Sequence, residues 1–239
     1  MHSLKFLTSN DYSFPAPDKA LEEPNGLIAI GGDLSPERLL SAYANGIFPW
    51  FNENDPILWW SPSPRAVLVP GEMHISKSLA KFNRKHEWEI TINHAFEQVI
   101  HHCAEPRVNQ DGTWITEDIQ QAYIQLHKIG RAHSLEVWDK SELIGGLYGI
   151  NVGRVFCGES MFHKATNASK IALLELQKHL LHFDYALIDT QMMNDHLLSL
   201  GVQSISREEF INQLNHYRQM TPRSGCWQPQ VIRKGSAND

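Results

Sequence analysis

Three strand-like runs, His133–Trp138, Leu143–Ile150 and Arg154–Cys157, follow one another with only short turns between them. A parallel crossover needs a dozen or more residues, so runs this close must lie side by side as an antiparallel meander. The meander is the feature that most limits the fold, because every other element has to pack against it. After it the period changes to a helix at Asn167–Leu181, a strand at Tyr185–Thr190 and a short helix at Asn194–Leu200. Before it, Phe96, Val99, Ile100 and Cys103 give Asn93–Cys103 a helical spacing. Thr116–Ile129 is a second helix: Glu117 and Asp118 suit its first turn, Ile119, Tyr123 and Leu126 form its apolar stripe, and Gly130 stops it. Arg65–Val69 and Trp88–Ile92 read as short strands with a helix between them. The last helix opens on a capping box of Ser206 and Glu209 and turns Phe210, Leu214 and Tyr217 inward.

The first sixty residues have a different texture, rich in turn formers and aromatics. One helix stands among them, with Ser35 as N-cap, Pro36 at its first position, Gly46 at its end, and Leu39, Leu40 and Tyr43 on one face. The expected organisation is α+β: a small, loop-rich N-terminal domain over 1–62 and a larger domain over 63–239, divided at the Ser61–Pro64 stretch. The 21 Lys and Arg against 27 Asp and Glu leave a net charge of −6, so an anionic partner must be met by a local patch. Cys103, Cys157 and Cys226 are an odd set with no C-x-x-C pair, which suits a reducing compartment. The chain has neither a signal-peptide-like apolar stretch near Met1 nor a run of about 20 apolar residues. The expectation is a soluble cytoplasmic protein with no membrane partner.

Several motifs are absent. The thirteen histidines lack metal-ligand spacing, no G-x-S-x-G elbow occurs, and GGDLS (Gly31–Ser35) fits a tight turn rather than a phosphate loop. Meander, helix, strand, helix is also the order of an N-acyltransferase (GNAT-like) core, an analogy of fold alone. A CoA-dependent enzyme of that class would cradle pyrophosphate on a glycine-rich loop at a helix N-terminus. Here the expected turn, GESMFHKATNAS, has one glycine at its start and none near the helix, which disfavours an acyl-CoA donor. In the same stretch Glu159 sits between Phe156 and Met161, where a lone carboxylate must be paired, hydrogen-bonded or functional. Asp189 ends a buried-looking strand, with Gln191 sharing its facing if the strand continues; a capping role for Asp189 is the alternative. Phe48, Trp50, Phe51, Trp59, Trp60 and Trp114 can serve as packing or as pocket walls. Over His74–His86, Lys77, Lys81, Arg84 and Lys85 form one face while Ile75, Leu79 and Phe82 form the other. That stripe is either a solvated face or a phosphate-binding one.

Together these segments resemble the leucyl/phenylalanyl-tRNA–protein transferase family. The resemblance rests on EPNGLIAIGGDLSPERLLSAYANGIFPWF, DPILWWSPSPRAVL, GTWIT, HSLEVW, GGLYG, FCGESMF, NASK and LIDTQMMNDHLLSLG, and runs from about Phe14 to about Tyr217. It implies a GNAT-like larger domain and transfer of Leu or Phe, less efficiently Met, from aminoacyl-tRNA to an N-terminal Arg or Lys. The acceptor protein is thereby marked for N-end-rule degradation in the bacterial cytosol. By the same resemblance, Trp50, Trp114, Leu147, Phe156, Met161 and Leu176 would line the aminoacyl pocket. Asp189, Gln191 and Glu159 would be the polar groups at the reaction centre, and Lys77, Lys81, Arg84 and Lys85 would meet the tRNA. We expect Asp189 to orient the acceptor as an anion, Gln191 to position by hydrogen bonding, and Glu159 to brace the pocket. The donor ester is already activated, so no metal or other cofactor is implied, and the chain is expected to act as a monomer. The alternatives are a CoA-dependent N-acyltransferase and a non-catalytic RNA- or peptide-binding module.

Overall fold

The computed structural model describes residues 4–8, 11–106 and 113–235. Its elements run β1 (Lys5–Leu7), β2 (Leu27–Gly31), α1 (Pro36–Ala44), β3 (Phe48–Pro49), β4 (Leu58–Trp60), β5 (Arg65–Leu68), α2 (Lys77–Asn83), β6 (Glu89–Ile92), α3 (Phe96–Ala104) and α4 (Glu117–Lys128). They continue with β7 (Ala132–Asp139), β8 (Glu142–Val152), β9 (Val155–His163), α5 (Ala168–His182), β10 (Leu187–Gln191), α6 (Asp195–Ser199), β11 (Gln203–Ile205), α7 (Arg207–Tyr217) and β12 (Gln230–Arg233). The result is a mixed α/β protein with two sheets, ordered β1-β2-β4-β3 and β11-β5-β10-β9-β8-β7-β6-β12.

The meander is β7–β8–β9, and its strands are longer than their sequence signal. β9 runs through Gly158–His163, so the segment expected to be a turn is strand, and the connection to α5 shrinks to Lys164–Asn167. The cause is pairing, since Leu147 opposite Met161 and Gly146 opposite Phe162 extend the ladder past the apolar run. α5 then crosses over and returns the chain as β10, parallel to β9. Both faces of the sheet are covered. Leu135, Val137, Leu147, Phe156 and Ile188 pack with α5 on one side, while Tyr148, Ile150, Val155 and Cys157 pack with α1, α3, α4 and α7 on the other. That double cover explains why β7 and β8 read as nearly unbroken apolar runs.

The loop-rich N-terminal part carries a sheet of its own, β1–β4, built from strands of two to five residues that leave no period to read. The basic helix is shorter than the expected His74–His86. The Ser76 hydroxyl accepts from the Leu79 N–H and fixes its start, and Arg233 grips the carbonyl and side chain of Asn83 at its end. Ile75 therefore lies outside α2 and is exposed, and Arg84 and Lys85 follow the helix. Ser35 does precede α1, but its hydroxyl bonds Asp33 at 2.5 Å instead of capping. Among the described residues, no helix is long and apolar enough to cross a membrane.

The glycines of GGLYG are spacers. A Cβ on Gly149 would lie 2.2 Å from the Cys157 carbonyl oxygen and 2.6 Å from Phe156 Cζ, so the ring of Phe156 occupies the room that the missing side chain leaves. We expect Gly149→Ala to lower unfolding free energy by about 1–3 kcal/mol, the usual cost of overpacking. Urea denaturation checks this, and an unchanged midpoint would show that the β8–β9 backbone as well as Phe156 yields to the added methyl.

Candidate active site

β9 and β10 are each interrupted once. In the β8–β9 ladder Gly149 pairs with Gly158 and Tyr148 with Ser160, which leaves Glu159 as an extra, unpaired residue. In the β10–β5 ladder Asp189 pairs with Val67 and Gln191 with Ala66, which leaves Thr190 out, and Gln191 takes a left-handed φ of 56°. Bulges bend a strand and re-aim a side chain. Here two of them on neighbouring strands bring Glu159 and Gln191 together, with Gln191 Nε2 donating to Glu159 Oε1 at 3.3 Å. The first bulge also shifts parity, so that Phe156 and Met161, five residues apart, line the same cavity.

Glu159 is held from its other side by a chain of hydroxyls. Tyr123 of α4 donates to Glu159 Oε2 at 3.0 Å, and Tyr43 of α1 lies 2.5 Å from the Tyr123 hydroxyl. Burial pushes the Glu159 carboxyl up from 4.5 to about 7. The hydroxyls of Tyr43 and Tyr123 oppose that rise, the Asp189 charge adds to it, and Arg65 reduces it.

Asp189 lies behind this pair and is 0% exposed. Its two oxygens take a bidentate grip from Arg65, Nε to Oδ1 at 2.8 Å and Nη2 to Oδ2 at 2.7 Å, and Oδ1 also accepts the Gln191 backbone N–H at 3.0 Å. The guanidinium of Arg65, itself 1% exposed, lies 4.4 Å from the Phe210 ring centre and 5.0 Å from that of Phe48. Two expectations therefore give way. Asp189 and Gln191 do not share a facing, because the bulge separates them. The Asp189 carboxylate does not line the cavity, because both its oxygens are turned to Arg65.

In front of Glu159 and Gln191 opens a cavity of about 1170 Å³. That exceeds the roughly 300–1,000 Å³ of small-molecule pockets, so it has room for more than one amino-acid side chain. Leu147, Phe156, Leu173, Leu176 and Ile188 are its buried floor. Trp114 and Met161 are partly buried in its wall, and Trp50, 41% exposed, stands at its mouth. All six residues expected in the pocket thus line one cavity, as do Glu159 and Gln191. Lys77, Lys81, Arg84 and Lys85 are exposed and do not line it. Among the described residues, no group of three His, Cys, Asp or Glu could hold a metal ion.

Sequence reasoning missed Arg65, Tyr43 and Tyr123 as parts of the site. Arg65 opens an otherwise apolar strand, RAVL, and a cation there signals a buried partner. The two tyrosines gave only a core signal, since their rings pack in the core and only their hydroxyls reach Glu159.

A carboxyl raised in the folded state binds protons that the unfolded chain has already released. Its contribution to stability is therefore full below about 4.5 and declines as pH rises towards about 7. Glu159→Gln removes that loss. We expect its stability relative to the unsubstituted chain to rise across this window and to level off above it, read by urea denaturation at several pH values. A difference independent of pH would mean that Glu159 titrates normally.

A family model described as leucyl/phenylalanyl-tRNA protein transferase matches residues 67–215, and one for that family's N-terminal domain matches residues 32–63. A leucyl/phenylalanyl-tRNA–protein transferase of Shewanella pealeana is 60% identical over 232 residues, covering 97% of this chain and 98% of the relative. The protein of the same name from Shewanella halifaxensis is 62% identical over 218 residues, covering 91% and 92%. Among solved structures, a functionally unknown conserved protein from Staphylococcus epidermidis gives a TM-score of 0.42 at 11% identity over 75% of this chain and 68% of that one, too remote to carry an argument. The matched residues take in the cavity floor, both bulges and Asp189, and the chain belongs to the leucyl/phenylalanyl-tRNA–protein transferase family.

Proposed function

We propose that the chain moves Leu or Phe, and Met less efficiently, from aminoacyl-tRNA to the N-terminal Arg or Lys of acceptor proteins. In this reading it works as a monomer in the cytoplasm, without metal or nucleotide, and its product enters N-end-rule degradation. One observation carries the reading: an apolar cavity floor beside a hydrogen-bonded polar pair, Glu159 and Gln191. Leu, Phe and Met are unbranched at Cβ and apolar, and they suit a floor of Leu, Ile and Phe with an adaptable Met161 in the wall.

The chemistry needs little beyond placement. The acceptor amine attacks the ester carbonyl, the bond to the terminal ribose oxygen breaks, and the proton lost by the amine ends on that departing oxygen. Gln191 has no useful basicity, so its part is to hold the amine on line, with Oε1 accepting an amine N–H while Nε2 is tied to Glu159. Asp189 is then a positioning residue that acts through the Gln191 backbone. Residues 63–239 supply the GNAT-like transfer unit, and residues 1–62 lend it Tyr43. Against a CoA donor stands the β9–α5 connection, Lys164–Asn167, which contains no glycine. α2, with Arg84 and Lys85 after it, contacts the body of the tRNA.

Two experiments test this. With Leu-tRNA and an Arg-initiated peptide, and neither ATP nor CoA, we expect transfer by the unsubstituted chain. Gln191→Ala should lower kcat by about 100-fold with stability kept. Asp189→Asn should lose stability by about 3–5 kcal/mol along with turnover, because Arg65 is left buried and unpaired. Near-normal turnover in Asp189→Asn would remove this residue from the site. Separately, replacing Lys77, Lys81, Arg84 and Lys85 by Ala should weaken tRNA binding and flatten its salt dependence by a slope of roughly 0.7–0.9 per lost contact. An unchanged slope would return the stripe to a solvated face.

A further inference from the structure

The cavity floor holds one aromatic ring, that of Phe156, among the aliphatic side chains of Leu147, Leu173, Leu176 and Ile188. Phe156 lies over Gly149, so no side chain of β8 limits its ring there. What limits it comes from far along the chain. The indole of Trp227 stacks on Phe156, with ring centres 5.2 Å apart and planes 28° apart, and on His133 of β7, at 4.3 Å and 3°. Trp227 is half-buried and, like the buried His133, lines no part of the cavity.

The indole has little freedom of its own. Its Nε1 donates to the Tyr185 hydroxyl at 2.7 Å, which donates in turn to Asn151 Oδ1 at 2.7 Å. The Asn93 amide nitrogen donates to the Trp227 carbonyl at 2.7 Å and to His133 Nδ1 at 3.1 Å, so a single side chain fixes two members of the stack. His179 of α5 donates from Nε2 to the carbonyl of Cys226 at 2.8 Å, and β12, just beyond, pairs with β6. A ring backed by close-packed, hydrogen-bonded groups cannot retreat without displacing them. A donor side chain longer than phenylalanine, pressed on Phe156, would have to drive that ring into the indole. Resting on the transfer reading above, we infer that Trp227 sets the depth of the aminoacyl pocket. By stacking behind Phe156 it admits apolar side chains up to the size of phenylalanine and excludes longer ones. It is a positioning residue and touches no substrate.

Two stable donors measure that depth. Each is an adenosine with an amino acid joined by an amide at its 3′ position, phenylalanine in one and naphthylalanine, unbranched at Cβ and one fused ring longer, in the other. By calorimetry, the unsubstituted chain should bind the phenylalanine donor about tenfold or more tightly, since even one methylene in an apolar pocket is worth about that much. Trp227→Leu gives Phe156 room to retreat and should shrink the preference by about tenfold. Trp227→Phe should give an intermediate preference, and it carries the test if Trp227→Leu does not fold. Leu214→Ala opens a cavity in α7, in the part of the core that does not contain Phe156, and should cost stability while keeping the full preference. The inference is overturned by a preference that survives in the Trp227 variants, by equal weakening of both donors in them, or by the same loss of preference in Leu214→Ala. An unsubstituted chain that binds both donors alike, or neither, also overturns it. Transfer from intact Leu-tRNA is measured alongside. Absent transfer with the size limit intact sinks the transfer reading alone, and transfer with a preference indifferent to residue 227 sinks this inference alone.

Discussion

The bidentate pair of Arg65 and Asp189 is the contact on which the site depends. Both partners are sealed from water, so neither charge can relax into solvent if the other is lost. The pair ties β5 to β10 at the point where β10 breaks, and it leaves one Asp189 oxygen to accept the Gln191 N–H. Phe48 from the small sheet and Phe210 from α7 close over the guanidinium. A single ion pair thus joins the N-terminal sheet, the central sheet and the last described helix behind Gln191, which lines the cavity. Replacing it with apolar side chains of the same volume would be expected to keep the fold, and to release Gln191.

Glu159 is governed by a different balance. Tyr43 and Tyr123 give it hydrogen bonds that favour the carboxylate, while burial and Asp189 favour the acid, and burial is the strongest single influence. The acid form has a proton to offer and the anion can only accept, so the group changes its hydrogen-bonding character near neutral pH. Because Tyr43 comes from α1, the small N-terminal part does more than cover the core. It touches the electrostatics of the cavity through two hydroxyls.

Much of this arrangement is legible in the chain and some is not. The meander, α4 and α5 follow from period and caps, whereas the pocket lining follows from the family resemblance, since Phe48, Trp50 and Trp114 read equally well as packing or as pocket walls. What escapes is whatever depends on a partner far along the chain. Nothing local to Asp189 says that Arg65, 124 positions away, will neutralise it. Strand signals also end where apolar residues end, which is why β9 was expected to stop at Cys157 although pairing with β8 carries it to His163. The bulges are the deepest case. A period-of-two reading assumes an unbroken ladder, and Glu159 and Gln191 are placed by breaks in it.

The bulge at Glu159 makes β9 unequal in how it can bear a change of length. Loss of a residue between Gly158 and Met161 other than Glu159 would slide every later pair and turn Met161 from the cavity. Loss of Glu159 would not, because Gly158 and Ser160 already face the consecutive residues Gly149 and Tyr148. The ladder would close over the gap with its remaining pairs intact. β9 would be most regular, and its hydrogen bonding most complete, in a chain one residue shorter that had lost the carboxylate lining the cavity. The irregularity survives only as long as something other than stability keeps it.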